Sequence, residues 1–400
     1  MKRLLSVCLS LCIMVSVFVS FDITASAKTN LKKTTVSVSN ISNGINVSWK
    51  KVSGAKSYKV YRKASGAKKY SVVKKTNNKT VKYLDKKVSA GKTYSYQVVA
   101  VKGKETSKSK TKSITRLLAP KNVNAKAYTS KNMDSYDYDE SEDYDEYWII
   151  GVKVTWTRSK GANKYDIYRQ EGKGKYRHIA TTKNSSSYID VEFFDKKVNT
   201  YRYKVVARKD KYVSDGSKAK KIVYVPPADN RVERLAEGIR LEWSSVKGCD
   251  GYKLYRSQNG KANTYSLIGK FASNKKSYFD KTVSINKTYY YKIITYKGSA
   301  KSVDIALKIK YKPEKIVNVK VGETNSSIKN EIEKELKEET GITFEQAKEM
   351  IKYVPLNKNI ATISDDFIVT GLSKGSTKVK QKYIVSGQVE ESGFILINVN

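Results

Sequence analysis

Between residues 28 and 312 apolar and polar positions alternate with a period of two. In Tyr58-Lys59-Val60-Tyr61 and in Tyr94-Ser95-Tyr96-Gln97-Val98 apolar bodies take every second place, the mark of strands with one buried face. Gly- and Asn-rich turns separate these runs, and helical patterns are scarce, so the segment predicts antiparallel β-sandwiches. Past Pro313 the period changes. Ile328, Ile332 and Leu336 recur at i+4, and Glu333 stands four before Lys337, which predicts a helix that Gly341 can end. Thr343-Phe344-Glu345-Gln346 fits a capping box opening a second helix through Met350 and Ile351. Strands resume at Asn359–Ile363, Phe367–Leu372 and Lys374–Val379.

The strand-rich segment also repeats itself. Trp49, Gly54, Tyr58, Tyr61 and Arg62 align with Trp156, Gly161, Tyr165, Tyr168 and Arg169, and with Trp243, Gly248, Tyr252, Tyr255 and Arg256. Trp to the first Tyr is nine residues in each copy, and Trp to Arg is thirteen. Downstream, Asp85, Asp195 and Asp280 precede Tyr94, Tyr201 and Tyr289 by nine, six and nine residues, so the middle copy reads as having lost three loop residues. One Trp per copy predicts a core anchor between two sheets. Pro120, Pro226-Pro227 and Pro313 fall where one copy gives way to the next.

These anchors resemble fibronectin type III modules: a Trp on the second strand, a Tyr-x-Val-x-Arg-like third strand, and a Thr-x-Tyr before a late strand. The resemblance implies that Tyr94, Tyr201 and Tyr289 form tyrosine corners, each hydroxyl bonding back to the main chain. Val321-Gly322-Glu323-Thr324 and residues 357–382 resemble the group 2 bacterial immunoglobulin-like domain, with the helical insert in place of that family's second strand. The expected fold class is all-β: tandem antiparallel β-sandwiches, three fibronectin type III-like and one immunoglobulin-like with a short helical insert. Such modules serve as spacers, adhesins and ligand binders alike, so the resemblance speaks to fold more than to function.

The chain opens Met1-Lys2-Arg3, runs apolar from Leu4 to Phe21 and reaches Ala25-Ser26-Ala27, the pattern of a secretory signal peptide cleaved after Ala27. An uncleaved anchor is the competing reading of so long an apolar run. The expected organisation is a signal peptide at 1–27, modules at 28–117, 118–225 (with an acidic insert at 133–147) and 226–312, and the immunoglobulin-like module at 313–400. Signal removal takes Cys8 and Cys12 with it and leaves Cys249 without a partner for an intrachain disulfide. No transmembrane segment is expected in the remainder, and the expected location is outside the cell, at the surface of a Gram-positive type of envelope or released from it.

Charge narrows the functional classes. Lys and Arg number 78 against 38 Asp and Glu, a net charge of +40. Residues 314–400 hold 12 Lys and 13 acidic residues, so the surplus belongs to the three repeats. Export makes nucleic acid an unexpected partner; anionic wall polymer, polysaccharide or an acidic surface protein fits better. His178 is the only histidine, and no nucleophile elbow, phosphate loop, zinc-ligand spacing or redox Cys pair is present, so no enzyme is expected. Two candidate sites stand out. Asp137, Asp139, Asp143 and Asp145 alternate within the insert, which holds eight carboxylates and four tyrosines in fifteen residues; such an oxygen set suits calcium, as the one cofactor to consider, although the turn glycine of a tight calcium loop is missing. The other candidate is an outward row made of Tyr61 and Arg62, Tyr168 and Arg169, Tyr255 and Arg256. The expected function is a non-catalytic extracellular spacer or adhesion protein held to the envelope by charge. The alternative is a carbohydrate-binding accessory of polysaccharide degradation that uses its tyrosine faces.

Overall fold

The computed structural model describes residues 31–131, 148–191, 196–339 and 342–400. By backbone contacts the chain divides into two units, one formed essentially by the first repeat and one by everything after it. In the first repeat Val36–Ile41, Gly44–Trp49 and Lys82–Asp85 make a three-stranded sheet. Ser71–Asn77, Ser57–Ala64, Thr93–Lys102 and Glu105–Lys108 make the facing sheet, where Lys112–Thr115 also pairs with Thr93–Lys102. Gly44–Trp49 pairs antiparallel with Lys82–Asp85, as do Ser57–Ala64 with both its neighbours and Thr93–Lys102 with Glu105–Lys108. The alternation of the sequence is visible strand by strand: along Thr93–Lys102 buried and half-buried residues alternate from Thr93 to Ala100. Tyr58, Val60, Tyr96 and Val98 are fully buried between the sheets, and Trp49 closes one end over Tyr58 with ring centroids 5.6 Å apart.

Repeats two and three reproduce this plan. Lys121–Lys131, Trp148–Thr157 and Ser187–Asp190 form one sheet of the second, facing five strands centred on Lys164–Glu171 and Asn199–Lys209. In the third, Asn230–Leu235, Gly238–Trp243 and Ser277–Asp280 face a five-stranded sheet centred on Gly251–Ser257 and Lys287–Lys297. The tryptophan–tyrosine contact recurs at 5.4 Å for Trp156–Tyr165 and 5.6 Å for Trp243–Tyr252. A hydroxyl anchor recurs with it. Tyr58, Tyr165 and Tyr252 each accept a hydrogen bond from the main-chain N–H six residues upstream, at 2.8 to 2.9 Å. A tyrosine buried for its ring thereby satisfies its polar tip. Cys249 is buried in the third core as a free thiol.

The last segment departs from the pattern where its sequence does. Ser327–Glu339 and Phe344–Met350 are helices, and Ile328 and Ile332 of the first are buried against Val317, Val369 and Ile397. Thr343 caps the second helix through the reciprocal capping box that its sequence announces: its hydroxyl accepts from Gln346 N–H while the Gln346 side chain accepts from Thr343 N–H. The expected helix end at Gly341 lies outside the described residues. One pairing was not anticipated: Lys315–Val319 runs parallel to Gln388–Val399 across five residue pairs. The long hairpin Gly375–Val385 to Gln388–Val399 turns on Ser386 and Gly387, both at positive φ, as a two-residue hairpin loop requires.

The third repeat and the last segment share a sheet. Asn230–Leu235 meets Gln388–Val399 through the parallel pair Leu235↔Gly393, giving a seven-stranded assembly. Phe394 leaves its own segment's core and is fully buried in that of repeat three, 5.0 Å from Tyr311 by ring centroids. Tyr311 donates to the carbonyls of Leu235 and Ala236, and Lys378 donates to the Tyr311 hydroxyl at 3.0 Å. Burial at this seam holds the Lys378 amine below its usual range.

Candidate functional site

The six residues expected to share an outward row are not brought together. Arg62 follows Tyr58 by four and Val60 by two along one strand, so strand geometry turns it to the inner side, while Tyr61 takes the outer side. Its guanidinium donates to both oxygens of the fully buried Asp85, at 2.9 and 3.1 Å, and Tyr96 donates its hydroxyl to the same carboxylate at 2.9 Å. Repeat three builds this triad from Arg256, Asp280 and Tyr291, with distances of 2.6 and 2.8 Å. In each repeat the guanidinium also lies 5.5 to 5.7 Å above a second tyrosine ring, Tyr94, Tyr201 or Tyr289. The arginines are therefore internal cross-braces between two sheets.

Repeat two corrects the sequence alignment. The carboxylate that Arg169 and Tyr203 engage is Asp190, at 2.7 to 2.9 Å. Asp195, which the sequence aligned with Asp85 and Asp280, lies outside the described residues. Counted from Asp190, Tyr201 is eleven residues on, so the middle loop is two residues longer than its counterparts and has lost none. At Tyr289 the expected tyrosine corner is formed, its hydroxyl accepting from Ser284 N–H at 2.9 Å.

The triads set the chemistry of the cores. Burial raises the Asp280 carboxyl, but hydrogen bonds from Thr282, Tyr291 and Arg256 outweigh it and leave the group below the usual range. Burial pushes Tyr96, Tyr203 and Tyr291 far above the ordinary phenol range, and Tyr224, Tyr311 and Tyr353 up to about 12. A phenol raised in the folded state contributes stability that is complete below about pH 10 and is lost as pH rises through the folded value. Stability is therefore expected to fall between about pH 10 and 12, with tyrosinate absorbance appearing in the same transition as loss of strand signal in circular dichroism. Tyrosinate appearing fully before any unfolding would contradict this.

The outer face of the larger sheet in each repeat carries lysine–tyrosine contacts. A tyrosine not among the expected site residues immediately precedes the fourth strand in every copy: Tyr70, Tyr176 and Tyr265. Each carries an ammonium over its ring, with Lys63 at 5.4 Å, Lys204 at 4.3 Å and Lys292 at 4.0 Å. Lys253 and Lys270 likewise lie 5.3 and 5.9 Å from the ring centre of Tyr296. The signal was a tyrosine one residue before the strand that pairs with the Arg-bearing strand, hidden because the intervening loop varies in length. Repeat two interrupts the face: Asp166, fully buried on the outer side, accepts from Arg208 and Thr181, and His178 stands edge-on to Tyr168 with centroids 5.4 Å apart.

Asp137, Asp139, Asp143 and Asp145 lie outside the described residues, as does the apolar run at 4–21. Among the described residues no cluster of three His, Cys, Asp or Glu is placed to hold a metal, and no helix is long and apolar enough to cross a membrane.

The fold and these faces define an all-β protein of tandem antiparallel sandwiches. No family model matches the chain, and no curated protein does. Solved structures do. The chain is similar to the chicken CNTN1 FN1–FN3 domains at 15% identity over 70% of this chain and 100% of that one, with a TM-score of 0.21. It is similar to a two-domain fibronectin type III segment of chicken tenascin at 16% identity, covering 48% and 98%, with a TM-score of 0.26. A redesigned β-sandwich protein matches at 14% identity over 22% and 94%, with a TM-score of 0.20. The fold assignment stands on the strand order and pairing described above.

Proposed function

We propose that this is a non-catalytic, multi-modular extracellular spacer or adhesion protein that holds to an anionic polymer of the cell envelope by charge. The observation that supports it is the outer lysine–tyrosine face. The ammonium heads over Tyr70, Tyr176, Tyr265 and Tyr296 turn aromatic surface into cationic surface. Lysine supplies compact point charges rather than the planar fork of arginine, which suits attraction to a polymer by charge density more than recognition of one stereochemistry. The inner arginines, which have the geometry for bidentate recognition, are occupied by Asp85, Asp190 and Asp280. At those four rings the ammonium coverage weighs against the alternative, a carbohydrate-binding accessory of polysaccharide degradation stacking neutral sugars there.

The test is binding to isolated envelope polymer across a salt series. Retention near 0.05 M salt and release by about 0.5 M is expected, because screening shortens the reach of these charges to a few ångströms. Retention that is indifferent to salt, or equal retention on a neutral polysaccharide, overturns the reading.

A further inference from the structure

Repeats one and three share an outer-face arrangement that repeat two lacks. Lys59 stands directly opposite Lys75, and Lys253 directly opposite Lys270, at the equivalent place in each ladder. Lys59 and Lys253 each follow a core-facing tyrosine by one residue, which turns them and their cross-strand partners outward. Like charges directly opposed across a ladder destabilise it. None of the four ammoniums is in an ion pair among the described residues; the Tyr296 ring lies under Lys253 and Lys270, and no carboxylate offsets either pair. One step along, past a bulge conserved in position between the two copies, Tyr61 stands opposite Val72 and Tyr255 opposite Leu267. Val72 and Leu267 are 42% and 52% exposed, so each leaves apolar surface open beside its tyrosine. Among the described residues no lysine head covers Tyr61 or Tyr255.

Each copy thus presents an opposed lysine pair whose backbone positions stand one same-face step, roughly 7 Å, from an aromatic–aliphatic pair; in repeat three both ammonium heads rest over the Tyr296 ring. In repeat two the lysine pair is replaced by Asp166 opposite Thr181, the carboxylate is engaged by Arg208, and His178 meets the edge of Tyr168.

We propose that Lys59, Lys75 and Tyr61 in repeat one, and Lys253, Lys270 and Tyr255 in repeat three, each form a subsite for a linear acidic polysaccharide, with repeat two carrying none. This rests on the polyanion reading above and names its partner class. Charge alone fits any polyanion. The apolar platform one step from the charge fits a polymer whose carboxylates are borne on sugar rings, since a ring presents an apolar C–H face to tyrosine while its carboxylate reaches the lysines. A chain of bare phosphates has no use for the platform.

The probes are polygalacturonate and inorganic polyphosphate, applied to the full chain. Substituting Lys59→Gln, Lys75→Gln, Lys253→Gln and Lys270→Gln together is expected to weaken polygalacturonate binding about tenfold or more, at a few tenths of a kcal/mol or more per exposed charge contact. A control of equal charge, Lys68→Gln, Lys69→Gln, Lys275→Gln and Lys276→Gln, removes exposed loop lysines of the same repeats and is expected to change binding by less than about threefold. The first variant should melt close to the parent, because relief of two repulsive pairs offsets the loss of the Lys253 and Lys270 contacts with the Tyr296 ring; a markedly lower melt with weaker binding overturns the subsites. Tyr61→Ser with Tyr255→Ser is expected to weaken polygalacturonate and leave polyphosphate binding unchanged. Equal loss in both lysine variants, or equal loss of both polymers in the tyrosine variant, overturns the subsites while the polyanion reading stands. A parent chain that binds neither polymer at low salt overturns that reading itself.

Discussion

Replacing Asp280 with alanine is expected to lower the stability of repeat three by about 3 kcal/mol, the low end of what breaking a buried ion pair costs. The carboxylate is 1% exposed and accepts from four donors: Arg256, the Tyr291 hydroxyl, and both the N–H and hydroxyl of Thr282. Without it the Tyr291 hydroxyl is left buried and unpaired, and Arg256 keeps its bond to the Thr282 hydroxyl. The arginine side chain is 22% exposed, so part of its charge reaches water, which holds the loss near the low end of the range. Tyr291→Phe removes one donor and leaves the carboxylate three, so it should cost only about 1 kcal/mol. The pH dependence has a definite sign. Asp280 titrates below its ordinary value in the fold, so its contribution is complete above about pH 4 and is lost as pH falls through the folded value. Chemical denaturation of the parent and of Asp280→Ala at pH 7 and near pH 3 checks both statements, and the gap between the two proteins should shrink in acid. A gap that holds constant with pH, or an alanine variant as stable as Tyr291→Phe, would sink this account.

The triad also shows how far sequence reasoning reached. Tyr58, Tyr165 and Tyr252 were legible as core residues because period-two alternation is a direct consequence of strand geometry, and the all-β sandwich plan followed from it. The Thr343–Gln346 capping box was legible because it is local, closing within four residues. What stayed hidden depended on pairing. Arg62 looked like a neighbour of Tyr61 because the two are adjacent in sequence, but a strand sends adjacent side chains to opposite faces, and its partner Asp85 is 23 residues away. Asp190 was missed for Asp195 because loop length varies between copies, and equal spacing from a flanking motif is no guide to which carboxylate enters the core. The lysine pairs are invisible to any one-strand pattern: Lys253 and Lys270 are seventeen residues apart, and only the ladder's register places them opposite each other. Patterns local to a strand or a helix end could be read from the chain, whereas every feature built across strands needed the register.

Phe394→Ala tests the least legible feature, the seam between repeat three and the last segment. Phe394 alternates with Ile395 and Ile397 along one strand, yet those two lie in the core of residues 313–400 while Phe394 lies in that of repeat three. Truncating a fully buried phenylalanine costs about 3–5 kcal/mol, and here the cavity opens beside Tyr311, in the core of repeat three rather than that of its own segment. The loss should therefore be read out in repeat three. In native-state hydrogen exchange of the full chain, amides of Gly238–Trp243 and Lys287–Lys297 should lose protection by about 3 kcal/mol or more. Ile397→Ala, of comparable burial in the neighbouring core, should deprotect residues 315–319 and 375–399 first. If both variants deprotect only residues 313–400, the seam is a contact and not a shared core. If both variants deprotect both segments to the same extent, the two fold and unfold as a single cooperative unit, with the parallel pair at Leu235 and Gly393 and the Tyr311–Lys378 hydrogen bond as its other ties. Phe394→Leu separates packing from backbone pairing: it keeps most of the volume, so protection in repeat three should fall by roughly 1 kcal/mol only. A leucine variant as damaged as the alanine one would mean that ring stacking on Tyr311, and not filled volume, holds the seam.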